Sequence, residues 1–79
     1  MPTVTVRYFA ALREWKGCES EEVEVAADET VRDLYLRLFP PGPLGTLPVA
    51  FARNLEYASP DTRMEEGDEI GFLPPLGGG

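Results

Sequence analysis

The sequence predicts an α+β domain, a mixed sheet of four or five strands with one main helix packed across it and a short helix after the first strand. Three observations predict it. Apolar and polar residues alternate with a period of two near both ends of the chain, a single strongly amphipathic stretch stands between them, and glycine- or proline-rich breaks separate the pieces.

Val4, Val6 and Tyr8 fall on one side of the first alternation and Thr5, Arg7 and Phe9 on the other, which predicts a strand over residues 3–9. Ala10 to Lys16 favours helix. Phe9, Leu12 and Trp15 recur every third residue, and Gly17 stands where a C-cap would close two turns. Glu22-Val23-Glu24-Val25 alternates again. The connection from the first strand is too short for a large crossover, so the two strands are expected to pair antiparallel.

The strongest helical pattern follows. Val31, Leu34, Tyr35, Leu38 and Phe39 occupy i, i+3, i+4, i+7 and i+8, with Arg32, Asp33 and Arg37 outward. Thr30 and Asp33 have the spacing of a capping box, although Asp is shorter than the usual Glu. Pro40-Pro41-Gly42-Pro43 ends the helix and begins a loop that runs to Pro48. Val49 to Arg53 reads as a third strand and Tyr57-Ala58 as a short edge piece. Glu66-Gly67-Asp68 makes a tight turn into a last strand, Glu69 to Leu73. Ile70 and Phe72 share one face of that strand, and Gly71 and Leu73 the other.

Two prolines fix φ and lack a backbone donor, so the sheet must stop at Pro74-Pro75 and the chain must leave it extended. The predicted organisation is therefore a domain over residues 1–73 and an extended glycine tail over 74–79. Fully extended, the tail reaches about 20 Å at about 3.3 Å per residue. That is enough to place its end inside another protein.

Composition bounds the rest. A chain of 79 residues supports one core, and a domain of this size buries only about 60–65% of the surface its unfolded chain exposes. No apolar run approaches the roughly 20 residues of a membrane span. The alternating start, Met1 to Arg7, lacks the pattern of a signal peptide, so a cytoplasmic protein is expected. One cysteine, Cys18, and no histidine argue against an internal disulfide and a zinc site. Fourteen acidic against seven basic residues give a net charge of −7, which repels phosphate backbones and favours a basic protein partner.

Phe9-Ala10-Ala11-Leu12-Arg13-Glu14 after the first strand, Glu66-Gly67-Asp68-Glu69-Ile70 before the last, and Pro74-Pro75-Leu76-Gly77-Gly78-Gly79 at the end carry a resemblance. Together they resemble the molybdopterin synthase small subunits, the MoaD branch of the ubiquitin-like sulfur carriers. The resemblance spans nearly the whole chain and implies a β-grasp fold. It also implies a chemistry. The carboxylate of Gly79 is adenylated by an activating enzyme that uses ATP, and sulfur then displaces AMP to leave a thiocarboxylate. That sulfur passes to a pterin precursor in molybdenum cofactor biosynthesis. The implied partners are the synthase large subunit, a ubiquitin-activating-like adenylyltransferase and a sulfur-donating enzyme. No bound cofactor, nucleic acid or membrane is implied. On this reading the chain is no enzyme by itself but the sulfur-donating subunit of one.

Glycine suits that tail, because without a Cβ Gly78 and Gly79 can thread a narrow site at little steric cost. The resemblance further implies that Phe9, Tyr57 and Leu73 dock the large subunit, that Pro75 guides the tail, and that Arg13 contacts the activating enzyme or the partner subunit. Phe9 and Leu73 read equally as core residues, and Arg13 reads more often as a solvated helix residue than as a contact. Glu65, Glu66, Asp68 and Glu69 read as a solvated turn rather than a metal site, and Cys18 as a passive thiol. Two further functions fit the same residues. One is a carrier for thiamine synthesis or tRNA thiolation, or a ubiquitin-like modifier. The other is a β-grasp binding module whose tail is inert.

Overall fold

A computed structural model describes residues 1–43 and 45–75 of the chain. In order, the elements are β1 (Thr3–Tyr8), α1 (Ala10–Lys16), β2 (Ser20–Glu24), α2 (Val31–Leu38), β3 (Ala50–Arg53), β4 (Glu56–Ala58) and β5 (Glu69–Leu73). The strands form one five-stranded sheet in the order β2-β1-β5-β3-β4. β1 pairs antiparallel with β2, as the short connection requires, and parallel with β5. β3 pairs antiparallel with both β5 and β4. The first and last strands in sequence are thus neighbours, and β5 is the central strand.

Alternation decides which face is covered. Val4, Val6 and Tyr8 of β1, Phe51 of β3, and Ile70 and Phe72 of β5 point to the core side. There they meet Val31, Leu34, Tyr35 and the following Phe39 from α2, with Leu12 from α1, Val25 and Met64. Edge-on aromatic pairs tie helix to sheet. Tyr35 packs against Phe72 and Phe51 at ring-centroid distances of 5.1 and 6.0 Å, and Phe39 against Tyr8 at 5.6 Å.

The capping box at α2 is complete. Thr30 Oγ1 accepts from the Asp33 N–H at 3.1 Å, and Asp33 Oδ2 accepts from the Thr30 N–H at the same distance. The short side chain therefore reaches after all. α1 closes at Gly17, whose φ of +76° is left-handed and whose N–H donates to the Arg13 carbonyl at 2.8 Å. The three-residue apolar stripe expected on α1 is only partly inward. Leu12 is buried, whereas Phe9 stands in extended backbone before the helix and Trp15 is 61% exposed, edge-on to Phe39 at 5.1 Å. A seven-residue helix turns too far between those positions to bury all three, since i, i+3 and i+6 advance along a sloping row. The proline-rich loop is fastened by Tyr35, whose hydroxyl donates to the Leu47 carbonyl at 2.6 Å.

Candidate functional site

The face of the sheet turned away from the helices is open. Its centre is a row crossing four strands in register, Arg7 opposite Gly71, Gly71 opposite Ala52, and Ala52 opposite Tyr57. Residues directly opposite share a face, so the two small residues in the middle leave a trough between Arg7 and Tyr57. Phe9, Leu73, Leu55 and Glu69 complete its lining, and the concavity measures about 470 Å³. A Cβ on Gly71 would lie 3.5 Å from Phe9 Cε2, 3.7 Å from Ala52 Cβ and 4.0 Å from Leu73 Cδ1. Phe9 and Leu73 therefore form its walls around a floor at Gly71.

Three of the sequence-predicted contact residues meet here. Phe9 is 38% exposed, Tyr57 84%, and Leu73 half-buried. The reading of Phe9 and Leu73 as core residues does not hold, because the core lies on the other side of the sheet. Arg13 lies on α1 outside the groove, and its Nη1 faces Glu19 Oε1 at 3.5 Å, both side chains exposed. Pro75 is exposed, two residues beyond the Leu73 wall. The predicted tail residues Gly78 and Gly79 lie outside the described residues. At the groove's other rim Arg7 Nη1 stands 3.7 Å from Glu69 Oε2, a surface pair of little net stability.

Sequence reasoning missed Arg7, Ala52, Leu55, Glu69 and Gly71 of the lining, and Leu55 is the exposed apolar one among them. Leu55 is 89% exposed and has a φ of +71°, next to Asn54 at +52°. The two form the tip between paired Arg53 and Glu56. A two-residue hairpin of this kind needs positive φ at both positions, a demand Asn-Gly meets best. A leucine there costs roughly 1–2 kcal/mol. The sequence signal was the pair Asn54-Leu55 between two short strand patterns.

The tip is bolted to the start of β5. Asn54 Nδ2 donates to Asp68 Oδ1 at 3.0 Å, and Asn54 Oδ1 accepts from the Glu69 N–H at 2.9 Å. The Asn54 N–H donates to the Glu69 carbonyl at 2.8 Å. Asp68 Oδ2 accepts from Arg53 Nε at 2.7 Å and from the Glu65 N–H at 2.8 Å. Asp68 is only 6% exposed, so the solvated turn expected at this acidic stretch is in part a buried clasp. Burial pushes its carboxyl up, but the Glu65 N–H, the Asn54 amide and the Arg53 guanidinium outweigh that and hold it below the ordinary carboxylate value. Among the described residues no group of acidic or cysteine side chains is arranged to hold a metal ion. Nor is any helix long and apolar enough to cross a membrane.

The sheet order, the helix across one face and the open face opposite define a ubiquitin-like β-grasp domain. A sequence profile of the ThiS family matches residues 6–79, and the chain belongs to that family. It is 32% identical over 81 residues to the molybdopterin synthase sulfur carrier subunit of Chlamydomonas reinhardtii, covering 96% of this chain and 98% of the relative. The crystal structure of small archaeal modifier protein 1 of Haloferax volcanii is similar at a TM-score of 0.80 and 28% identity, covering 96% of this chain and 100% of that one. A chain in the complex of subunits 1 and 2 of the molybdopterin-converting factor of Helicobacter pylori is similar at a TM-score of 0.61 and 28% identity, covering 98% and 99%.

Proposed function

We propose that this chain is the sulfur-carrier small subunit of a molybdopterin synthase. The observation that carries the reading is the full-length similarity to a molybdopterin synthase sulfur carrier subunit, within a family match that runs through Gly79. In the proposed cycle the Gly79 carboxylate attacks the α-phosphorus of ATP in an activating enzyme and expels pyrophosphate. Sulfide-level sulfur from the donor then attacks the acyl carbon of the adenylate and expels AMP, leaving a thiocarboxylate on Gly79. That group delivers its sulfur to a pterin precursor held by the large subunit.

This chain supplies reach and grip. The domain of residues 1–73 docks through Phe9, Tyr57 and Leu73, Pro75 aims the tail of residues 74–79, and Gly78 and Gly79 thread it. Arg13, outside the groove, serves contact with the activating enzyme or the partner subunit. No cofactor is bound by the chain itself, ATP is used by its activator, and the setting is cytoplasmic with neither nucleic acid nor membrane as partner. Incubation with ATP, the activating enzyme and a sulfur source is expected to exchange one oxygen for sulfur at Gly79, read by intact mass. Failure of that exchange with an active activating enzyme, or its persistence after deletion of Gly79, overturns the proposal.

The similarity to small archaeal modifier protein 1 favours a second reading, a modifier whose Gly79 forms isopeptide bonds with lysines. Rescue of a molybdenum-cofactor mutant supports the carrier, and lysine conjugates in cell extract without rescue support the modifier.

A further inference from the structure

Leu55 combines two unfavourable features in the isolated chain. Its backbone is left-handed, and its apolar side chain is almost wholly in water at the tip of the β3–β4 hairpin. Neither is relieved within the fold, since Leu55 is absent from the core and from the apolar residues packed against it. Loose turns can relax such strain, but this one cannot. Asn54 and Asp68 fix it to β5 through the bonds described above. Strain held this firmly beside a groove is a feature of binding sites, where the surroundings over-determine a conformation for use elsewhere.

We propose that Leu55 is an anchor of the docking surface, seated in an apolar recess of the large subunit, and that Asn54 and Asp68 are the positioning residues that hold it out. The inference rests on the carrier reading above. The large subunit is the occupant because the groove wall at Leu73 continues directly into Pro74 and Pro75, which sets this face beside the start of the tail, and because the similar H. pylori chain is found in a complex of subunits 1 and 2. Interface energy concentrates in a few fully desolvated side chains, and a leucine whose backbone is already fixed at a hairpin tip spares the cost of ordering that loop on docking.

The test measures calorimetric affinity of the full chain for its cognate large subunit, with thermal unfolding in parallel. Leu55→Gly and Leu55→Asn relieve the left-handed strain. They are expected to unfold at the wild-type temperature or above it, yet to bind roughly tenfold or more weakly. Affinity of both variants within about twofold of wild type overturns the anchor while leaving the carrier reading intact. Wild-type chain that fails to bind the large subunit overturns both. Wild-type chain that dimerises in sedimentation, with the dimer lost in Leu55→Gly, assigns the face to a second copy and also overturns the proposal. Positioning is tested by Asn54→Gly, which permits the backbone and removes only the side-chain bonds. It is expected to weaken docking when Leu55 is present and to add nothing in the Leu55→Gly background; equal losses in both backgrounds exclude the positioning role.

Discussion

Asp68 shows what one carboxylate does in a small domain. Three donors converge on it from Arg53, Asn54 and Glu65, joining the β3–β4 hairpin to the turn that launches β5. Asp68→Asn removes the charge from these bonds, and the expected loss is about 2 kcal/mol in urea unfolding at neutral pH. The pH dependence has a definite sign. Because the folded-state value lies below the unfolded one, the contribution is complete above the ordinary carboxylate value and disappears as the pH falls through the lower, folded value. Wild-type stability should therefore drop below about pH 4, and the drop should be shallower in Asp68→Asn. Parallel pH profiles of the two proteins would exclude this role. Nothing in the acidic run of residues 65–69 marks Asp68 for burial, because its two side-chain donors, Arg53 and Asn54, arrive from a hairpin more than ten residues upstream.

At the scale of the element, α2 is the part of the fold that local sequence specifies most completely. Its apolar spacing faces the sheet, and Thr30 and Asp33 satisfy each other's N–H groups at its start. Thr30→Ala is expected to cost about 1 kcal/mol, with Thr30→Ser restoring most of it, as read from urea midpoints. No change in midpoint would mean that packing alone holds the first turn. The strands were legible for the same reason, since alternation over Val4, Val6 and Tyr8 and over Ile70 and Phe72 names the buried face outright. Their order was not. The parallel pairing of Val6 with Ile70 joins residues 64 apart in sequence, and no local pattern records a partner that distant. The groove was legible through Phe9, Tyr57 and Leu73, but Leu55 was not, because its exposure follows from a backbone conformation that its residue type disfavours.

For the whole molecule, net charge and sheet order matter most. A charge of −7 on 79 residues should speed encounter with a basic partner more than it tightens the final complex. The association rate with the large subunit is expected to fall by roughly tenfold between low and physiological salt, with a smaller change in dissociation. A salt-independent association rate would show that the acidic surface serves dispersion alone. Sheet order has a mechanical consequence. Tension applied beyond Pro75 is transmitted to β5, which is flanked by β1 on one side and β3 on the other. A pull along that axis loads both ladders in shear, so their hydrogen bonds resist together. The same pull on the edge strand β4 would meet a single ladder. A partner that pulled on the tail would therefore load a strand held by two ladders rather than one.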